Sequence, residues 1–147
     1  MKKALSPIPG AIIKGAVEKK VVAPNHVIVY DIDSDKVKAL QESHGVHGTD
    51  SIYELCDMCD ILLIAVKPNV LSDVLKGLCA VDLPLISIAA GWSAHHIKEI
   101  YGNDKRVLRV MPNTPLMVGE GMSVFETPNN LSEHEIAFAK RLFGALG

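Results

Sequence analysis

The stretch DILLIAVKP, residues 60 to 68, most constrains what this chain can fold into. Ile61 to Val66 is a continuous apolar run, too short for a membrane span and bounded by a charge at each end. A strand that is apolar on both faces belongs inside a parallel sheet covered by helices on each side. HVIVYD (26 to 31) is a second β-branched run, ending in an acid, and PLISIAAG (84 to 91) is a third buried strand. RVLRVMP (106 to 112) and MSVFETP (122 to 128) read as further strands.

Helix signals alternate with these runs. Asp33 or Ser34 caps a helix reaching about Ser43, with Asp35 in its first turn and Val37 and Leu40 on one face. Ser51 and Glu54 have capping-box spacing, and Ile52, Leu55, Cys56 and Cys59 recur on one side of the short helix that follows. Residues 69 to 78 form a helix with Val70, Val74, Leu75 and Leu78 as its apolar positions. Ser93 caps a helix ending near Tyr101, with Gly102 just beyond. Ser132 and Glu135 repeat the box before a last helix whose inward stripe is Ile136, Ala139, Leu142 and Phe143. Strands alternating with helices of about ten residues predict a doubly wound, mainly parallel α/β sheet with helices on both faces.

At 147 residues, one domain is expected, burying roughly 70% of its unfolded surface without metal or disulfide staples. A net charge of −2 gives no nucleic-acid or anionic-membrane surface. Three cysteines are no secreted framework. Lys2 and Lys3 precede a stretch broken by Pro7 and Pro9, so no signal peptide is read there. A cytoplasmic protein that binds neither nucleic acid nor membrane is expected.

In this architecture ligands sit beyond the carboxyl ends of the strands. Four stretches converge there: the turn at 5 to 10, the end of HVIVYD, the VKP corner at 66 to 68 and the AAGWS corner at 89 to 93. A nucleotide leads among ligand classes, against another ligand or none. The opening turn works against it, because Pro7 and Pro9 lack N–H groups and a phosphate loop needs glycines. Pro9 suits a first helical position, and the amides of Gly10 and Ala11 then face an anion. A plain helix start accounts for the same residues equally well. Asp31 ends its strand where an acid accepts from a ribose hydroxyl and repels a 2′-phosphate, which on charge favours NAD over NADP. It also serves simply to begin a polar turn.

Cys56 and Cys59 form CDMC, the spacing of a redox pair or half a zinc site. Their place on an apolar stripe, with no second ligand pair, reads as buried structural thiols, and no metal site is expected. His95 and His96 read as a partly exposed helix start. No spacing supports a Ser–His–Asp or paired-carboxylate catalytic set. RVMPNTPLMVGEG is the remaining unusual stretch, where Pro112 and Pro115 bracket Asn113 and Thr114 in a stiff loop directly after a strand. A structural turn accounts for it too, with less need for rigidity.

With AIIKG, VYD, DILLIAVKP, ISIAAG and VMPNTP in this order, the chain resembles the N-terminal, Rossmann-like nucleotide-binding half of pyrroline-5-carboxylate reductase. The resemblance runs from about Gly10 through Gly147. It implies hydride transfer from NADPH or NADH to the C=N carbon of a cyclic imine, giving L-proline in proline biosynthesis. By resemblance, Gly10 and Ala11 lie at the pyrophosphate and Asp31 reads the adenosine ribose. Val66, Lys67 and Pro68 border the nicotinamide and its ribose, Ala89, Ala90 and Gly91 form the floor near the reacting ring, and Asn113 lies beside it. Met111, Pro112, Asn113 and Thr114 shape the substrate side. The resemblance assigns no catalytic acid.

Two departures stand out. The family opens with a strand flowing into a GxGxM-like loop, whereas this chain is about three residues short there, with Leu5 and Pro7 near where glycines belong. Either that start is altered or part of the natural loop is missing. The family also carries a helical C-terminal domain that makes a homo-oligomer and completes the imine pocket. Residues 1 to 147 are expected to be the dinucleotide-binding domain alone, inactive in isolation, with an apolar face where that domain docks. The alternatives are a non-catalytic nucleotide-binding or oligomerisation module of the same fold, and a related oxidoreductase acting on hydroxy acids or other imines.

Overall fold

In the computed structural model the described residues are 3–5, 10–31, 33–66, 68–112, 123–126 and 130–144. The chain runs β1 (Lys3–Leu5), α1 (Gly10–Glu18), a 3-10 turn (Pro24–His26), β2 (Val27–Val29), α2 (Ser34–His44), β3 (His47–Gly48) and α3 (Ile52–Met58). It continues through β4 (Ile61–Ile64), α4 (Pro68–Gly77), β5 (Leu85–Ser87), α5 (Ala94–Tyr101), β6 (Val107–Pro112), β7 (Ser123–Phe125) and α6 (Glu133–Gly144).

The strands lie side by side in the order β3-β2-β1-β4-β5-β6-β7. The first six are parallel, and β7 returns antiparallel to β6. The order reverses between β1 and β4, the switch point at which a doubly wound sheet opens a crevice. β1 thus sits mid-sheet despite its lysine.

Alternation along the strands divides the core. Val27, Val29, Ile61, Leu63, Ile86, Leu108 and Val110 face one layer with Ile12, Ile13 and Ala16 of α1, Val37 of α2, and Phe138, Ala139, Leu142 and Phe143 of α6. Ile28, Leu62, Ile64, Leu85 and Val107 face the other, against Leu55 of α3, Leu71 and Leu75 of α4, and Ile97 and Tyr101 of α5. All four residues of β4 are buried, as a strand covered on both faces must be.

The expected caps form. Asp33 accepts from the Asp35 N–H, Ser51 from the Glu54 N–H and Ser93 from the His96 N–H. Ser132 and Glu135 bond reciprocally at 3.2 and 2.9 Å.

Several details depart from the sequence expectations. Strand 84–91 is regular only to Ser87, because the chain must turn before α5. Val70 is 37% exposed and Leu71 takes its place in the core, while Leu75 and Leu78 are buried as expected and Val74 packs partly against them. In α6 Phe138 is buried while Ile136 is only partly so. The two-residue β3 carries no apolar run to announce it.

Candidate functional site

The five neighbouring parallel strands from β2 to β6 deliver their carboxyl ends to one edge, and the candidate residues follow those ends. α1 opens at Gly10, so Gly10 and Ala11 occupy its first turn, whose amides lack intrahelical partners. Pro7 and Pro9 lie outside the described residues.

Beyond β2 and β3 is a cleft of about 440 Å³. Tyr30, Asp31, Ser34, Lys38, Asp50 and Glu54 are among its lining residues. Asp31 Oδ1 accepts from the Asp33 N–H at 3.0 Å, which fixes the carboxylate at the mouth of α2. Asp31 is therefore both the start of a polar turn and a wall of the cleft. Three carboxylates and one ammonium line this space, making it acidic.

Gly48 explains why the cleft can exist where it does. A Cβ at that position would stand 2.6 Å from Val37 Cγ1 and 2.7 Å from Gln41 Cδ. Only a bare α-carbon lets α2 lie this close to β3.

Beyond β4 and β5 are two corners. Val66 is half-buried and Pro68 starts α4, while Lys67 falls outside the described residues. At the second corner Ala89 is buried, Ala90 is exposed, and Gly91 has φ +78°. A Cβ on Gly91 would meet nothing within 4 Å, so the backbone there opens onto free space. The two corners are joined directly, because the Trp92 indole N–H donates to the Pro68 carbonyl at 3.1 Å. Met111, 39% exposed, and Pro112 close β6 at the same edge. Asn113 and Thr114 lie outside the described residues.

Other reactive groups are accounted for by packing. Burial pushes the Cys56 thiol up to about 11, helped by Asp57, and the Cys59 thiol up to about 12, helped by Cys56 and Asp60. These are inert, protonated thiols, and Cys79 is the exposed one. Burial also raises the Tyr101 phenol to about 12. Its hydroxyl donates to the Leu83 carbonyl at 2.7 Å and accepts from the Leu83 N–H at 3.2 Å. Lys105 Nζ donates to the carbonyls of Cys79 and Val81 and lies 4.8 Å from the Tyr101 ring centre. These two plug the amino edge, opposite the cleft. His95 pairs with Glu99 at 3.0 Å on the exposed face of α5. Among the described residues no group of three His, Cys, Asp or Glu side chains could hold a metal ion, and no helix is long and apolar enough to cross a membrane.

Sequence reasoning missed the ties between corners. Trp92 signals itself only as the single tryptophan, and Glu126, whose Oε1 accepts from the Ala94 N–H at 3.0 Å, lies 32 residues from its partner.

This geometry has counterparts. Residues 7–91 match the family described as NADP oxidoreductase, coenzyme F420-dependent. The chain belongs to that family. It is 36% identical over 124 residues to the pyrroline-5-carboxylate reductase of Escherichia coli (strain K12), covering 82% of this chain and 46% of that protein. A pyrroline-5-carboxylate reductase structure from Coxiella burnetii superposes with TM-score 0.92 at 24% identity, covering 99% of this chain and 56% of that one. The Plasmodium falciparum pyrroline carboxylate reductase, solved with NADP bound, gives TM-score 0.83 at 24% identity over 100% of this chain and 55% of that one. The Rossmann-like fold and the resemblance to the nucleotide-binding half of these reductases are therefore borne out. The chain spans about half the length of the curated relatives it matches.

Proposed function

We propose that this chain is the cofactor-binding half of a reductase that converts 1-pyrroline-5-carboxylate to L-proline with a reduced pyridine nucleotide. The observation that carries the reading is the pairing of the 66–68 and 89–93 corners at the carboxyl edge, joined by Trp92 and Pro68. In this reading Gly10 and Ala11 meet the pyrophosphate, and Asp31 meets the adenosine ribose. Val66, Lys67, Pro68, Ala89, Ala90, Gly91 and Asn113 seat the nicotinamide half, while Met111, Pro112, Asn113 and Thr114 border the imine.

The described cradle fits such a ligand: a cleft for the adenosine half, the helix-start amides of α1, and an open backbone corner for the ring. When bound, the reduced nicotinamide supplies hydride to the C=N carbon, and a proton reaching the nitrogen completes the amine. The chain's own contribution is placement of the two reacting carbons, which contributes several kcal/mol, up to about 7–11 in the best intramolecular cases. The imine pocket is completed by a further helical domain that also makes the homo-oligomer. Unpaired cysteines, two of them buried, support a reducing, cytoplasmic setting.

The acidic cleft further favours NADH over NADPH. Asp31, Asp50 and Glu54 surround the ribose position with Lys38 as the cleft's cation, and a 2′-phosphate adds about two negative charges there. The Plasmodium structure holds NADP, so the preference proposed here differs from that relative's bound nucleotide.

Calorimetric titration of the purified chain tests the reading. NADH should bind saturably and at least about tenfold more tightly than NADPH, the effect of one unfavourable near-surface charge contact. Addition of the cyclic imine should produce no oxidation of NADH by this half alone. Absence of NADH binding would overturn the nucleotide reading, and turnover would overturn the need for a second domain.

A further inference from the structure

The corner at 89–93 carries more ties than a short turn needs in order to close. On its entry side, the Ile88 N–H donates to the Ile64 carbonyl at 3.1 Å and the Ala89 N–H to Ser87 Oγ at 3.2 Å. From its middle, the Trp92 indole reaches the Pro68 carbonyl at 3.1 Å. On its exit side, the Ala94 N–H donates to Glu126 Oε1 at 3.0 Å. Glu126 Oε2 pairs with Arg109 Nη1 at 3.5 Å, and the Glu126 N–H donates to the Arg109 carbonyl at 2.9 Å across the β6–β7 pair.

α2 and α3 each begin with one side-chain cap, from Asp33 and Ser51. α5 has its own cap in Ser93, which accepts from the His96 N–H at 3.2 Å. Glu126 is thus a second acceptor brought to the same helix start from another strand. Its carboxylate also sits between the positive end of α5 and the Arg109 guanidinium, so its charge is matched on both sides. Between the Trp92 and Glu126 ties the backbone has little freedom left. Just before them lies Gly91, whose open side faces free space.

We propose that Trp92 and Glu126 are positioning residues that clamp the Gly91 corner from opposite sides and so set where the nicotinamide half of the nucleotide lies. The clamp rests on the reading that a pyridine nucleotide binds at this edge. Neither side chain needs to touch the ligand. Trp92 ties the corner to α4, Glu126 ties it to β6 and β7, and the ring rests on the backbone held between.

Binding of NADH and of ADP-ribose, which has the adenosine, pyrophosphate and ribose but no nicotinamide, separates this role from general stabilisation. Trp92→Phe keeps a ring and removes the indole donor, while Glu126→Ala removes the acceptor for Ala94. Each should weaken NADH about tenfold, the scale of one lost net hydrogen bond, and leave ADP-ribose within about twofold. Glu126→Gln keeps an amide oxygen for the Ala94 N–H and should recover most of the NADH affinity. Thermal unfolding identifies the folded variants, and Trp92→Phe decides the matter if Glu126→Ala does not fold. Unchanged NADH binding, or equal losses for NADH and ADP-ribose, would overturn the clamp while leaving nucleotide binding intact. A wild-type chain that binds neither ligand would overturn the nucleotide reading and the clamp with it.

Discussion

Cys56 and Cys59 are spaced like a redox pair, and burial decides otherwise. Both thiols ionise at higher pH in the fold than their ordinary value of 9.0. A group that keeps its proton longer when folded adds stability below its unfolded pKa and loses it as pH rises through the folded one. Stability should therefore fall from about pH 9 upward, continuing to about 11 and 12 for these two thiols. In Cys59→Ala that alkaline slope should be shallower than in the parent, as followed by urea unfolding at stepped pH. A thiol reagent should label Cys79 in the native chain and reach the other two only on unfolding. Gly91 offers a second test at this scale. Its φ of +78° favours glycine, so Gly91→Ala should cost roughly 1–2 kcal/mol of stability, measured by denaturant midpoint. Added NADH should widen that gap, because it stabilises the parent chain more than the variant. The inert thiols and the exposed histidine start were readable from pattern alone. The Trp92 and Glu126 ties were not, because a hydrogen bond spanning 24 or 32 residues leaves no local signature.

Among the elements, local chemistry set the helix starts reliably. Asp33, Ser51, Ser93 and Ser132 all cap where their spacing predicts, since an N-cap is a bond within one turn. α6 is anchored twice over through Glu135, which bonds the Ser132 N–H and also pairs with Arg106 at 2.8 Å. Ser132→Ala should lower stability by about 1 kcal/mol, whereas Glu135→Ala should lower it further because a mostly buried, doubly bonded carboxylate is lost. Chemical denaturation reads both. Strand ends were less legible: β5 stops at Ser87 because tertiary turning, which composition does not encode, takes over at Ile88. The placement of α2 over β3 is likewise a packing fact. Gly48→Ala should cost about 1–3 kcal/mol by pushing α2 from the sheet. It should also weaken ADP-ribose, because the same helix walls the acidic cleft.

For the whole molecule, a single doubly covered strand was enough to foresee the layers. Ile61 to Ile64 are all buried, alternate residues feeding opposite cores, and that requires helices above and below. Strand order follows from right-handed crossovers on both sides of β1. The carboxyl edge of the sheet is a consequence of that topology, so the place proposed for the site was legible in sequence, while Lys67, Asn113 and Thr114 lie outside the described residues. What the fold could not announce in sequence was which spaces remain open. Besides the acidic cleft, cavities of about 280 and 420 Å³ lie toward the amino edge, lined by Val21, His26, His134 and Arg141 and by Asp60, Ser132 and Glu135. An amide-resolved NMR titration of the labelled chain distinguishes these places directly. With NADH, resonances of Asp31, Ser34, Val66 and Ala89 to Trp92 should shift together, and with ADP-ribose the first two should shift while Ala89 to Trp92 stay nearly still. Shifts gathered instead around Val21, His26 and His134, or no difference at the Gly91 corner between the two ligands, would contradict a nicotinamide seat at the carboxyl edge.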